Sequence, residues 1–274
     1  MRAKEISGIR AIAFDLDGVV YFGSKPADGI VDVISQVRRL GLKVYFMTNN
    51  SAKTRSEIAN KLNGMGIEVS KDEILTSGFA AALFIDRSAG KERKALILGT
   101  DSLKREFSEL GFSSVSAPPC DYLVVGYDTE FNFEKICIGL TALLNGALFV
   151  ACNRVANFPS EEGNILPGLG AMVGAIIGAS NKEPDILVGK PNTLMMEYLT
   201  EMAGLAPHEI LCVGDSLEED IAMASRFGSL SVLVSGNNVA AQYPKLRGKK
   251  VCSPDFVIRS VVELAELLRL KVCP

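Results

Sequence analysis

A single histidine, His208, and six cysteines without one CxxC pair leave this 274-residue chain without the ligand clusters of a zinc site or the spacing of a disulfide framework. Cys120, Cys137, Cys152, Cys212, Cys252 and Cys273 are expected as reduced thiols of the core. Excess charge is scarce too: the formal net charge is -3, which gives no electrostatic reason to bind nucleic acid. The longest nearly apolar stretch, Ile165 to Ala179, is too short to span a bilayer and is interrupted by Pro167, so no membrane association is expected. Its Gly170, Gly174 and Gly178 recur at helical spacing, which suits a buried helix packed closely through its glycines. No long apolar run precedes the polar Asp15 and Asp17, so no secretory signal is visible and a cytoplasmic protein is expected. In that setting the glycosylation pattern Asn49-Asn50-Ser51 carries no weight. Internal repeats and low-complexity linkers are also missing.

What is there is a chain with 48% hydrophobic residues, long enough for one large or two medium α/β domains. Short apolar runs end repeatedly at polar loops. Ile9 to Phe14 end at Asp15-Leu16-Asp17-Gly18, Val44 to Met47 at Thr48-Asn49-Asn50-Ser51, and Ile186 to Val188 at Gly189-Lys190-Pro191. Ile210 to Val213 end at Gly214-Asp215-Ser216, and Leu230 to Val234 at Ser235-Gly236. Helical patterns lie between them, as in Ile30 to Leu40, with Ile30, Val33, Ile34, Val37 and Leu40 on one face. A capping box from Thr54 to Glu57 predicts a second helix, and Ser70 with Glu73 predicts the start of a third.

Strands alternating with helices predict a mostly parallel, doubly wound α/β sheet. Ligands bind such sheets at the carboxyl ends of their strands, and four of these ends carry Asp15 with Asp17, Thr48, Lys190 and Asp215. The roughly hundred residues between Thr48 and the run before Lys190 exceed any single crossover, so an inserted α/β domain is expected. Ala95 to Leu98, Tyr122 to Val125 and Leu148 to Ala151 read as its strands, and Ser102 to Leu110 and Phe133 to Leu144 as its helices. The insert is placed at 80–181, and the core at 1–79 and 182–274.

Two carboxylates two residues apart at a strand end, followed by a glycine that permits a tight turn, can divide nucleophilic and proton-handling work. A metal held by Asp15, the loop backbone and a third carboxylate such as Asp215 would have hard oxygen ligands, which suits magnesium (Mg2+). Thr48 can donate a hydroxyl to a phosphoryl oxygen, and Lys190 can neutralise phosphoryl charge and hold Asp15 ionised. Each has a plain alternative: an aspartate turn after a strand, a turn hydroxyl, a solvated lysine. His208, just before the strand that ends at Asp215, reads as a helix-end or loop residue.

Taken together and in order, Asp15-Leu16-Asp17-Gly18, Thr48, Lys190 and Gly214-Asp215 with Asp220 resemble the four motifs of the haloacid dehalogenase superfamily. The strings Thr48-Asn49-Asn50-Ser51 and Gly189-Lys190-Pro191, with the large insert between them, look like its NagD or nitrophenylphosphatase branch. The resemblance implies a Rossmann-like core with a mobile α/β cap, and magnesium held by the Asp15 side chain, the Asp17 carbonyl and Asp215, with Asp220 anchoring the site from behind. It implies attack on phosphorus by Asp15, with Asp17 as general acid and then general base. The acid at position 17 favours phosphate-ester hydrolysis, since transporting ATPases of the superfamily carry threonine there. Substrate contacts are expected from Asn49, Asn50, Ser51, Asn153 and Arg154, a small-molecule phosphate ester is the expected partner, and a homodimer is allowed for.

The sequence departs from the branch at Ser216, Glu218 and Glu219, and at Cys152-Asn153-Arg154-Val155, where relatives often read Thr-Asn-Pro-Asp. Arg154 can pair with an acidic group of the leaving alcohol or remain a solvated loop arginine. The dinucleotide-like Gly168-Leu169-Gly170-Ala171-Met172-Val173-Gly174 is one residue out of register, and Gly189-Lys190 lacks the rest of a P-loop. A non-catalytic phospholigand-binding protein on the same scaffold is the competing reading.

Overall fold

The computed structural model describes residues 6, 8–89, 94–112, 114–160, 163–236 and 252–272. The chain divides into two compact units, one made of Met1–Thr48, Ala59–Ile74 and Lys190–Pro274, the other of Asn49–Ile58 and Leu75–Gly189.

The first unit is organised by a six-stranded sheet in the order Phe256–Ile258, Leu230–Val234, Ile210–Gly214, Ala11–Asp15, Lys43–Thr48, Ile74–Thr76. The pairings along its first five strands are parallel. Ala11–Asp15, Ile210–Gly214 and Leu230–Val234 are buried at every position, which is why they read as continuous apolar runs rather than alternating ones. The order runs outward from Ala11–Asp15 in both directions, and right-handed crossovers then put the connecting helices on opposite faces. This makes the gap beside Ala11–Asp15 the topological switch point of a doubly wound α/β fold. Helix Ile30–Arg39 buries Ile30, Val33, Ile34 and Val37.

The second unit has its own sheet, ordered Ile186–Leu187, Leu148–Ala151, Tyr122–Val125, Ala95–Leu98, Ser114–Val115, parallel throughout. Thr100 caps the helix Asp101–Glu109 by accepting from the Leu103 N–H, and Asn132 caps Phe133–Leu144 by accepting from the Lys135 N–H. Strands Asn157–Pro159 and Ile165–Pro167 form a separate antiparallel pair.

Four expectations need correction. The strand before Lys190, Ile186–Leu187, pairs with Leu148–Ala151 in the second unit's sheet, so Lys190 does not sit at a strand end of the six-stranded sheet. Ser70 and Glu73 do form a reciprocal cap, but over a single 3-10 turn, Lys71–Glu73, that runs straight into the strand Ile74–Thr76. In the helix Leu169–Ser180 only Gly170 is approached closely, by the carbonyls of Arg154 and Val155, whereas Gly174 and Gly178 face open space. Its large residues Leu169, Met172, Val173 and Ile176 are buried while Ala171, Gly174, Gly178 and Ala179 are exposed, so small residues on the exposed face, not all-round burial, make the run apolar. Finally, Cys152 and Cys212 are buried but Cys137 is exposed and Cys120 and Cys252 are half-buried; Cys273 lies outside the described residues.

Candidate active site

In the first unit the chain turns sharply after Asp15. The Leu16 carbonyl accepts from the N–H groups of Val20 (2.9 Å) and Tyr21 (3.1 Å), and the Gly18 N–H donates to the Tyr21 carbonyl at 2.9 Å. Gly18 has φ +89°, and a Cβ there would lie 2.3 Å from Asp215 Oδ2, so only glycine lets this turn approach Asp215 so closely. Asp15 is buried at the carboxyl end of its strand, while Asp17 is exposed. On the neighbouring strand Met47 is in register with Asp15, which makes Thr48, also buried, the residue one step beyond. On the other side Phe14 is in register with Val213, and Asp215 follows the strand end at Gly214.

Lys190 joins these groups. Its ammonium donates to Asp15 Oδ1 at 2.5 Å and to Asp220 Oδ1 at 2.6 Å, and its side chain is only 3% exposed. Asp220 is held from behind by the Ser216 N–H, which donates to Oδ2 at 3.2 Å, and a Cβ on Gly214 would collide with it. The π-helical turn Leu217–Ile221, capped by the Ser216 hydroxyl, aims Asp220 inward. Asp15, Asp215 and Asp220 each bring an oxygen within 4.8 Å of the others.

The electrostatics follow from three carboxylates around one ammonium. Burial alone would lower Lys190, but Asp15 and Asp220, ahead of Glu219, outweigh it and hold the ammonium above its ordinary value. Burial pushes the Asp15 carboxyl well above the usual carboxylate range; Lys190 counteracts this, and Asp220 and Asp215 add to it. Asp215 is pushed up to about 7, by burial first and Asp220 second. Among the described residues, the three carboxylates would, when all are ionised, carry more negative charge than Lys190 balances. A donor set of hard carboxylate oxygens with surplus negative charge fits a hard dication.

The second unit holds the other expected residues, most of them in local hydrogen bonds. The Ser51 hydroxyl accepts from the Tyr127 N–H at 2.9 Å. Asn50 Oδ1 accepts from the N–H groups of Ala52 and Lys53 at 2.9 and 3.0 Å. Asn153 Nδ2 donates to the Asn49 carbonyl at 2.6 Å, and its Oδ1 accepts from the Val155 N–H at 3.0 Å. Arg154 is half in solvent and paired with Glu183 at 2.7 Å. Two groups escaped the sequence reading. The Tyr21 hydroxyl donates to Asp17 Oδ2 at 3.2 Å, and burial, then Asp17 and Asp15, push this phenol far above its ordinary value. In the second unit Arg55 and Glu106 form a buried ion pair at 3.1 Å. His208 is exposed in the turn Pro207–Glu209, at the amino end of its strand and away from these carboxylates.

A family model described as haloacid dehalogenase-like hydrolase matches residues 12–113, and a second, HAD-hydrolase-like model matches residues 187–264. Phosphoglycolate phosphatase 1A, chloroplastic, of Arabidopsis thaliana is 31% identical over 273 residues, covering 92% of this chain and 75% of that protein. Among solved structures, a p-nitrophenyl phosphatase from Archaeoglobus fulgidus superposes with a TM-score of 0.86 at 31% identity, covering 95% of this chain and 99% of that one. A glycerol phosphate phosphatase from Mycobacterium tuberculosis, solved in complex with calcium, gives a TM-score of 0.84 at 29% identity over 96% of this chain and 78% of that one.

Proposed function

This chain belongs to the haloacid dehalogenase-like hydrolases and is a phosphoric monoester hydrolase of that family, and on that premise we propose that it cleaves a small-molecule phosphate ester through an aspartyl-phosphate on Asp15, with magnesium as its metal. The observation that carries the reading is the buried cluster in which Lys190 bridges Asp15 and Asp220 with Asp215 alongside.

Asp15 supplies the attacking oxygen, kept in place at the strand end by Lys190. As the bond from Asp15 to phosphorus forms and the bond to the leaving oxygen breaks, Asp17 gives its proton to that oxygen. Asp17 then takes a proton from the water that attacks phosphorus and frees Asp15. Lys190 and the Thr48 hydroxyl offset and orient the charge on the phosphoryl oxygens. Asp220 keeps Lys190 in line. Asp15, the Asp17 carbonyl and Asp215 would hold the magnesium, whose charge, when bound, draws a dianionic ester toward an otherwise anionic cluster.

Asn49, Asn50, Ser51 and Asn153 enter this reading as substrate-side positions whose side chains shape their loop. Arg154 enters it as a guanidinium that exchanges Glu183 for an acidic group of the leaving alcohol. A cytoplasmic setting and a homodimer complete the proposal.

The test is phosphate release from a panel that includes nitrophenyl phosphate, glycerol phosphate, phosphoglycolate and sugar phosphates, with magnesium, with chelator, and with Asp15→Asn. Release that needs both magnesium and Asp15 is expected. Release that survives Asp15→Asn removes the nucleophile from the scheme, and silence across the panel with tight binding of a phospholigand favours a non-catalytic binding protein.

A further inference from the structure

Tyr21 has no part in the mechanism above, yet it is tied to the loop that carries Asp17 at three points. Its N–H donates to Leu16, its carbonyl accepts from Gly18, and its hydroxyl donates to Asp17 Oδ2 at 3.2 Å. The ring is 3% exposed, and it opens the short strand Tyr21–Phe22, paired antiparallel with Lys25–Pro26. The Lys61 ammonium lies 3.5 Å from the ring centroid, a cation–π contact that fixes the ring from a second direction. An exposed aspartate on a turn can adopt several rotamers, and only some of them aim its carboxyl at a leaving group. A phenol whose ring is buried and whose backbone is locked to the same turn selects among them, because a neutral phenol is an O–H donor at ordinary pH.

We propose that Tyr21 is a positioning residue for proton transfer: it holds the Asp17 carboxyl in the orientation that delivers a proton to the leaving oxygen and later takes one from water. Tyr21 keeps its own proton throughout; the transferred proton moves between Asp17, the leaving oxygen and water. The inference rests on the proposed role of Asp17.

Its signature is dependence on the leaving group. Nitrophenolate departs with little help from an acid, whereas an alkoxide needs a proton as its bond to phosphorus breaks, and a well-placed general acid is worth on the order of 10²–10⁴-fold. The experiment compares kcat/KM of Tyr21→Phe with the parent on nitrophenyl phosphate and on an alkyl phosphate such as glycerol phosphate, with Asp17→Asn in parallel. Tyr21→Phe is expected to lose at least about tenfold on the alkyl ester, part of the full general-acid contribution, and less than about threefold on the aryl ester. Both rates come from one preparation, so any unfolded fraction cancels in their ratio. An equal loss on both esters, or no loss on either, overturns the proposal, provided Asp17→Asn remains selective for the alkyl ester. If Asp17→Asn shows no such selectivity, the assigned role of Asp17 fails and the proposal fails with it.

Discussion

The buried pair between Arg55 and Glu106 offers the largest measurable consequence of a contact the sequence did not announce. Arg55 opens the helix Arg55–Gly64 immediately after the loop of Asn49, Asn50 and Ser51, and its side chain is 7% exposed against 2% for Glu106. Glu106 accepts from both the Nε and the backbone N–H of Arg55, while the guanidinium also reaches Glu109 at 3.6 Å and sits 3.3 Å from the centre of the Phe79 ring. Removing one member of a buried pair strands the other, at a cost of about 3–5 kcal/mol. Arg55→Met should lie at the upper end, because Glu106 then keeps a buried carboxylate satisfied chiefly by the backbone N–H of residue 55. Glu106→Gln should lie at the lower end, because the guanidinium keeps Glu109 and Phe79. The double variant removes both charges, so its loss should be clearly smaller than the sum of the two. Urea unfolding followed by circular dichroism reads these differences; a loss of 3 kcal/mol corresponds to a fall in Tm of roughly 6–12 °C for a body of this size. If both single variants lose less than about 1 kcal/mol, the range of an exposed pair such as Arg105 with Glu57, the burial argument is wrong.

Gly18→Ala should lower phosphatase activity at least about tenfold and stability by about 1–2 kcal/mol, because residue 18 sits at φ +89° and the new Cβ would meet the Asp215 carboxylate; steady-state kinetics that match the parent would contradict this. Glu57→Ala should cost about 1 kcal/mol at neutral pH through loss of the capping box with Thr54. Burial pushes the Glu57 carboxyl up, but the Thr54 N–H, then the hydroxyls of Ser102 and Thr54 and the charge of Arg105, outweigh it and hold Glu57 below its ordinary value. A depressed folded value means that the contribution is complete above the unfolded value of about 4.3 and is lost as pH falls through the folded one. Unfolding measured at pH 7 and near pH 3 should therefore show the Glu57→Ala deficit shrinking in acid.

The strands Ala95–Leu98, Tyr122–Val125 and Leu148–Ala151 and the helix Phe133–Leu144 have the limits their sequence patterns predicted, because buried parallel strands are short apolar runs bounded by polar turns. The site motifs were legible for the same reason: Asp15, Thr48 and Asp215 stand where such runs stop. Less visible was which sheet a run joins. Ile186–Leu187 looks like the other strands, and only its pairing with Leu148–Ala151 assigns it to the second unit. The sequence pattern set the insert at 80–181, while the compact second unit also takes in 49–58, 75–79 and 182–189. Segment 49–58 is attached by side-chain contacts between residues far apart in sequence, such as Ser51 with Tyr127 and Arg55 with Glu106, and 182–189 by the pairing of Ile186–Leu187 with Leu148–Ala151; neither leaves a periodic trace. Tyr21 was hidden differently, since an aromatic residue in an apolar stretch reads as core until its hydroxyl is seen against Asp17.

Charge balance joins the fold to the proposed chemistry. The switch point beside Ala11–Asp15 gathers carboxylates from two neighbouring strands, Asp15 from the strand itself and Asp215 and Asp220 from the segment after Ile210–Gly214. Lys190 arrives from a third stretch of chain and pairs with two of the three. A single ammonium can orient Asp15 as a nucleophile, but with all three carboxylates ionised the cluster would repel a phosphate dianion at close range, where Coulomb repulsion in a poorly solvated site is steep. A dication on the Asp15 and Asp215 side would reverse that balance while leaving Lys190 bound to Asp220. Hence chelation should abolish turnover without unfolding the six-stranded sheet, whose strands Ala11–Asp15, Ile210–Gly214 and Leu230–Val234 are buried at every position. Circular dichroism in chelator, set beside phosphate release in magnesium, separates those two outcomes; a sheet that melts on chelation would mean that the metal is part of the fold as well as of the chemistry.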